Sequence, residues 1–381
     1  MFGSGTKWKI GSIGRIPIYV GPAWVLVVMF VTVTRYSFFS QVVPGSALLL
    51  AVLFAAAFFG AVFVHELAHA WVSRRLAIPV RGITMMFFGG VTETRANSRG
   101  PGAEFLVSAA GPASTLIMSG AFWMVARPLH GAVYDVVREL AWLNLVFAIF
   151  NTVPAVPLDG GRMLTAIVWG VTGNRRTGQR VAGYVGTLVG IGVGVLAYQQ
   201  LTAGGGFGPF LLIVAFILVS TGRTTEARVR AQELLAKGTA ADAMREAPAW
   251  VSAGMSLQDA LDRYLRDAPH DAFPVVDEGR VIGTVSLASA RKAGSRDPMR
   301  PVREGIAPLD LTPTFRPDEP LDLVAEWLGG LDGLVLLDGV LVGALGPADL
   351  DRWYQRTIQG NAGAGFPGSA GFSGIPPRPD L

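Results

Sequence analysis

Five long stretches of this sequence carry no charged side chain: residues 16–34, 36–64, 105–126, 140–158 and 181–222. A helix that crosses a bilayer needs about 20 mostly apolar residues. The last run spans 42 positions and is broken by Gly204, Gly205, Gly206 and Pro209, which leaves room for two spans. The pattern predicts six transmembrane helices. Charged residues make up 16% of the chain, against about 25% in soluble domains. That deficit excludes a plain cytosolic enzyme and a disordered protein. There are no cysteines, so disulfides, thiolate metal sites and a cysteine nucleophile are excluded too. The net charge of +4 is carried in short interhelical loops, not on one face, so no nucleic-acid partner is expected.

The loops set the orientation. Lys7, Lys9 and Arg15 precede the first span. Arg74, Arg75, Arg81, Arg95 and Arg99 follow the second, and Arg162, Arg175, Arg176 and Arg180 follow the fourth. The opposite loops hold fewer, among them Arg35 and Arg127, with Arg138 beside two acidic residues. The positive-inside rule then puts both termini in the cytoplasm. Residues 16–33 read as the first span and not as a cleaved signal peptide, because the segment is long and contains Pro17 and Pro22.

Beyond residue 222 the composition changes. Residues 223–238 read as a charged linker helix. Residues 239–358 read as a soluble α/β region with an internal repeat, 239–295 and 296–358. Each copy offers a helix and then two strands: AFPVVD and VIGTVS in the first, GLVLLD and LVGALG in the second. Turn residues Asp-Glu-Gly and Asp-Gly fall at matching places, as in hairpins. Residues 359–381 are rich in Gly, Pro and Ser and are expected to be a disordered tail.

Chemistry is concentrated at the end of the second apolar run, in FVHELAHAW. His65 and His69 are four residues apart, so one helical face presents both imidazoles to one metal ion. Glu66 stands beside them, where a base toward a water at the metal is needed. Depth matters as much as spacing. The first charge after the motif is Arg74, so the histidines lie nine and five residues inside the edge of the run. An ionisable group there costs on the order of 2–3 kcal/mol unless paired or wetted. A third ligand is best supplied by NTVPAVPLDGGR, which ends the fourth span at the same level. Pro154 and Pro157 break that helix, and Gly160 and Gly161 let the chain turn tightly behind Asp159.

HELAH in one membrane helix, NTVPAVPLDGG about 85 residues later, and FFGGV and SAAGPAS between them resemble the site-2 protease family of intramembrane zinc metalloproteases. The resemblance covers residues 8–222. It implies one zinc per chain held by His65, His69 and Asp159, with Glu66 as general base and Asn151 positioning substrate or stabilising the oxyanion. It also gives a meaning to residues 80–94, a β-type stretch in which Phe88, Gly89 and Gly90 would bind an extended substrate. The AAGPAS segment suits close helix packing and receives no chemical role. Family members with this layout cleave membrane-tethered proteins in signalling, such as sigma-factor precursors and anti-sigma factors. The expectation is thus a multi-pass protein of a bacterial cell membrane whose partners are a tethered protein substrate and the lipid bilayer. A rival reading is a gated divalent-cation transporter or channel, which does not explain the glutamate after the first histidine.

The repeat at 239–358 resembles a tandem pair of CBS domains. Such pairs often dimerise and often bind ATP or another adenine nucleotide. The family pattern places a hydroxyl residue after a glycine and an aspartate three residues further on, which contacts ribose. The first copy has Gly283 and Ser286 but Ser289 at the aspartate position. The second has Gly343 and Asp349 but Gly346 at the hydroxyl position. Asp349 therefore marks the one surviving nucleotide site. A homodimerisation or substrate-docking module stands as the alternative to a nucleotide sensor.

Overall fold

The computed structural model describes residues 7–14, 16–86, 89–94, 100–266, 272–295, 297–309, 312–328 and 330–361. The chain divides into two compact units at Val229/Arg230.

The first unit opens with a strand hairpin, β1 (Trp8–Ile13) and β2 (Ile16–Val20), followed by helices α1 (Pro22–Val42) and α2 (Ala47–Arg75). A second hairpin, β3 (Val80–Met86) and β4 (Gly89–Thr94), precedes α3 (Pro101–Ala126) and α4 (Gly131–Thr152). Then come the short α5 (Asp159–Thr172), α6 (Arg175–Thr202) and α7 (Gly208–Leu235). Five helices are long and apolar enough to cross a membrane: α1, α2, α3, α6 and α7. The sixth long helix is α4, whose first turns carry Asp135, Arg138 and Glu139, so the expected six spans hold as an approximate count.

The structure corrects the sequence reading at the first span. Residues 16–20 are not helical. Ile16, Ile18 and Val20 are buried and alternate with Pro17 and Tyr19, the period-2 pattern of a strand. β2 pairs parallel with β3, Ile18 opposite Ile83, and the two hairpins form one sheet in the order β1-β2-β3-β4. The helix starts only at Pro22, where a missing N–H costs nothing. Arg35 is likewise not in a loop. It lies within α1, where its guanidinium pairs with Glu139 of α4. That pairing lets both helices carry charge, and a search for charge-free runs therefore misplaces their ends. The charged stretch after residue 222 is no separate linker, since α7 continues unbroken to Leu235.

The second unit continues with α8 (Ala240–Ala243), β5 (Arg245–Glu246), β6 (Val251–Ser252) and α9 (Leu257–Ala260). It goes on through β7 (Ala272–Asp277), β8 (Arg280–Ser286), α10 (Leu287–Gly294), β9 (Ala307–Pro308) and β10 (Thr314–Phe315). It ends with α11 (Leu321–Leu328), β11 (Gly333–Leu337), β12 (Val340–Leu345) and α12 (Pro347–Asn361). Both expected hairpins form. Their turns put Glu278, Gly279, Asp338 and Gly339 at positive φ, as two-residue primed turns require. The two turns touch through a hydrogen bond from the Val281 N–H to the Gly339 carbonyl, 2.9 Å.

The repeats exchange their leading segments. One sheet has the order β6-β7-β8-β9 and the other β10-β11-β12-β5. Ala240 and Ala243, from the start of the first copy, pack with Leu321, Val335 and Leu345 of the second. Val302, from the start of the second copy, packs with Leu257, Val275 and Val285 of the first. A boundary at residue 295 therefore cuts through both cores. α12 runs to Asn361, past the expected start of the tail, and residues 362–381 lie outside the described residues. A fragment of residues 239–295 lacks both β9 and Val302 and should be cleaved rapidly in limited proteolysis. A fragment of residues 239–361 should resist and unfold cooperatively.

Candidate metal centre

The site is built where three helices meet. α2 carries the His65, Glu66 and His69 side chains on a helix packed against α3 and α4. All three are buried, with exposures of 3%, 5% and 5%. One ligand atom from each lies within 4.8 Å of the others. α5 brings in Asp159 as its first residue. The preceding helix ends at Thr152, and the 153–158 segment with Pro154 and Pro157 folds back against it. That turn needs glycine twice. A Cβ at Gly160 would lie 2.3 Å from the Thr152 and Val153 carbonyl oxygens, and one at Gly161 would lie 2.5 Å from the Val156 nitrogen.

The carboxylate oxygen Oδ2 of Asp159 lies 3.1 Å from His65 Nε2 and 3.2 Å from His69 Nε2. The two Nε2 atoms are 3.2 Å apart. Hydrogen bonding on the far side of each ring fixes what these atoms are. His69 Nδ1 is 2.6 Å from the Val107 carbonyl oxygen, which only accepts, so Nδ1 carries the proton. Thr115 donates its hydroxyl to the Gly111 carbonyl at 3.1 Å. Its oxygen is therefore the acceptor for His65 Nδ1, 2.9 Å away. In the neutral form of each ring, with the proton on Nδ1, the bare lone pair on Nε2 faces the Asp159 oxygen. Three electron-rich atoms this close repel one another unless a cation lies among them. A proton would serve one pair, whereas a divalent ion serves all three. Tetrahedral zinc with bonds of about 2.0–2.1 Å separates its ligands by about 3.3 Å, close to the triangle observed. The donor set fits the metal.

Helix α3 supplies the residues that sequence reasoning missed. Val107, Gly111 and Thr115 recur every four residues on the face turned to α2. A Cβ at Gly111 would lie 2.3 Å from His69 Nε2 and 2.6 Å from His65 Nε2, so only glycine fits beneath the two rings. Of the three, only Gly111 lies inside SAAGPAS, which Val107 and Thr115 flank, and that segment reads as small-residue helix packing, which is also what it does.

The remaining expected site residues are less closely gathered. Asn151 lies in the last turn of α4 and donates one amide hydrogen to the Phe147 carbonyl at 3.0 Å. The Phe147 ring, one turn earlier, stands 5.3 Å from the His65 ring. Gly89 and Gly90 open β4, an edge strand that packs along α2. Phe88 lies outside the described residues.

In the second unit Asp349 does not present a free carboxylate. It is 1% exposed. Its Oδ2 accepts from the Gly346 N–H at 2.7 Å, and its Oδ1 is paired with Arg352. Arg245 Nε stands 3.9 Å from Oδ2, and the Arg245 guanidinium also pairs with Asp332. At the matching place in the first copy, Ser286 and Ser289 cap α10 reciprocally through their hydroxyls. Asp349, the position expected to meet a nucleotide, and its counterpart Ser289 are both engaged in holding helix N-termini.

Residues 53–132 and 127–194 match Peptidase family M50, and residues 240–296 match the CBS domain. Rip3 of Mycobacterium tuberculosis, which carries a zinc metalloprotease name, is 34% identical over 325 residues, 81% of this chain and 79% of the relative. The sll0528 protein of Synechocystis, named in the same way, is 29% identical over 299 residues, 76% of this chain and 78% of the relative. The solved site-2 protease of Methanocaldococcus jannaschii is 19% identical, covers 58% of this chain and 95% of its own, and superposes with a TM-score of 0.44. Matched along most of its length and carrying buried histidine and glutamate side chains with the half-buried Asp159 carboxylate beside them, the chain belongs to peptidase family M50, the site-2 family of membrane zinc metalloproteases, and bears a CBS region.

Proposed function

We propose that this protein is an intramembrane endopeptidase that cleaves a membrane-tethered protein in regulated proteolysis. The convergence of His65, His69 and Asp159 on one point, with Glu66 beside them, carries the reading. His65 Nε2, His69 Nε2 and Asp159 Oδ2 would hold one zinc ion. Zinc supplies Lewis acidity toward the scissile carbonyl and the attacking water. Val107 and Thr115 keep both rings in the tautomer that binds metal. Glu66 takes the proton of the water and returns it to the leaving nitrogen. Asn151 retains a second amide hydrogen with which to stabilise the developing oxyanion.

A peptide bond inside a membrane helix is hydrogen-bonded to its own turn and must be unwound before attack. The β4 edge at Gly89 and Gly90 suits that need, because an extended segment can add to it strand by strand. The arginine-rich loops support cytoplasmic termini and a site near the inner leaflet of a bacterial membrane. The engaged state of Asp349 favours a docking or dimerising role for the CBS region over a ribose-binding one. Leu323 and Trp327, exposed together on α11, support a surface for a second copy.

The experiment is zinc analysis and cleavage of a tethered substrate by the purified chain in detergent. Glu66→Gln should keep stoichiometric zinc and lose about 10²–10⁴-fold in rate. Normal cleavage by that variant contradicts the base assignment, and metal-ion flux surviving it points to transport. His65→Ala and Asp159→Ala should lose the metal as well. Gly111→Ala should stay folded by circular dichroism yet release zinc, since the added methyl displaces both rings. Asp349→Ala should destabilise the second unit by about 1–3 kcal/mol in denaturant unfolding. Its ATP binding in equilibrium dialysis should match wild type, and a loss specific to the variant would restore the ribose role.

A further inference from the structure

Among the described residues of the membrane unit, one buried carboxylate takes no part in the mechanism. Glu104, in the first turn of α3, is 2% exposed. Arg175, the first residue of α6, grips it with two hydrogen bonds, Nε to Oε2 at 2.8 Å and Nη2 to Oε1 at 3.1 Å. This is the fork-to-carboxylate geometry in which both partners are fixed in direction as well as distance. The same guanidinium lies 5.9 Å from the Trp169 ring of α5.

The pair joins α3, which orients both histidines, to the first residue of α6, the helix that follows α5. Along α3, Glu104 is followed after about one turn by Val107, after two by Gly111 and after three by Thr115. Along α5, Asp159 is the first residue, and the helix ends at Thr172, three residues before Arg175. The helices are in close contact on both sides of the pair. A Cβ at Gly170 of α5 would lie 3.7 Å from Pro101 of α3, and one at Gly178 of α6 would lie 2.3 Å from the Thr165 carbonyl of α5. α5 and α6 therefore pack backbone to backbone at Thr165 and Gly178. Sliding α3 along them would carry the Val107 carbonyl and the Thr115 hydroxyl away from the histidines, or Asp159 away from both rings.

We propose that the Glu104–Arg175 pair is a positioning clamp that sets the depth of α3 against α5, and thereby the ring orientation and carboxylate placement on which zinc binding depends. The inference rests on the metal reading above. It is distinct from simple stabilisation, which a buried ion pair does not reliably supply.

The test uses the full chain in detergent and zinc alone as the probe. Zinc release to a chelator is measured, together with the melting temperature of the apo and zinc-loaded forms. Glu104→Gln should weaken zinc retention about 10–100-fold, as loss of an orienting partner does. It should also shrink the rise in melting temperature that zinc produces. Arg175→Lys keeps the charge and loses the fork, and it should show the same defect. Arg35→Met and Glu139→Gln break a more exposed pair that joins α1 to α4. They should lower both melting temperatures while leaving the zinc-dependent rise intact. The clamp is refuted if Glu104→Gln and Arg175→Lys hold zinc as wild type does, or if Glu139→Gln weakens zinc equally. A wild-type chain that retains no zinc refutes the metal reading itself.

Discussion

Two imidazole lone pairs and one carboxylate oxygen, each within about 3.2 Å of the other two, are the constraint around which the membrane unit is organised. Such an arrangement is unfavourable without a cation, so the surrounding helices must enforce it. α2 provides the four-residue spacing, α5 the carboxylate at its first position, and α3 the acceptors that fix both tautomers. The close approach of α3 is possible because Gly111 has no side chain. A fold of this kind keeps ionisable groups in the membrane by giving each a defined partner. Two ion pairs between helices, Arg35 with Glu139 and Arg175 with Glu104, follow the same rule.

The features legible in the sequence were those with a short-range physical cause. His65, Glu66 and His69 announce themselves by spacing on one helix. Asp159 follows from a helix broken by Pro154 and Pro157 at matching depth. The CBS hairpins follow from turn residues that accept positive φ. What stayed hidden depends on contacts between distant segments. The β2 strand reads as the start of a membrane span because every residue from 16 to 20 is uncharged, and its pairing with β3 is set more than 60 residues later. Arg35 reads as a loop residue until Glu139 is brought beside it. The exchange of β5 and β9 between the CBS copies leaves no local mark, since each is two residues long.

The histidine-orienting roles of Val107 and Thr115 were hidden for a different reason. One acts through a backbone carbonyl, which any residue has, and the other through a hydroxyl common in apolar helices. Asp349 shows the converse. Its position in the repeat suggests ribose, while the contact it makes in the structure is with the N–H of Gly346, the residue that stands where a hydroxyl was expected.

X-ray absorption at the zinc edge of the purified wild-type chain examines the metal and its ligands together. Two imidazole nitrogens and oxygen at about 2.0–2.1 Å, with stoichiometric zinc lost in His69→Ala, is the expected result. A shell made only of oxygen, an unchanged shell in that variant, or the absence of stoichiometric zinc would contradict the metal centre and the peptidase mechanism built on it.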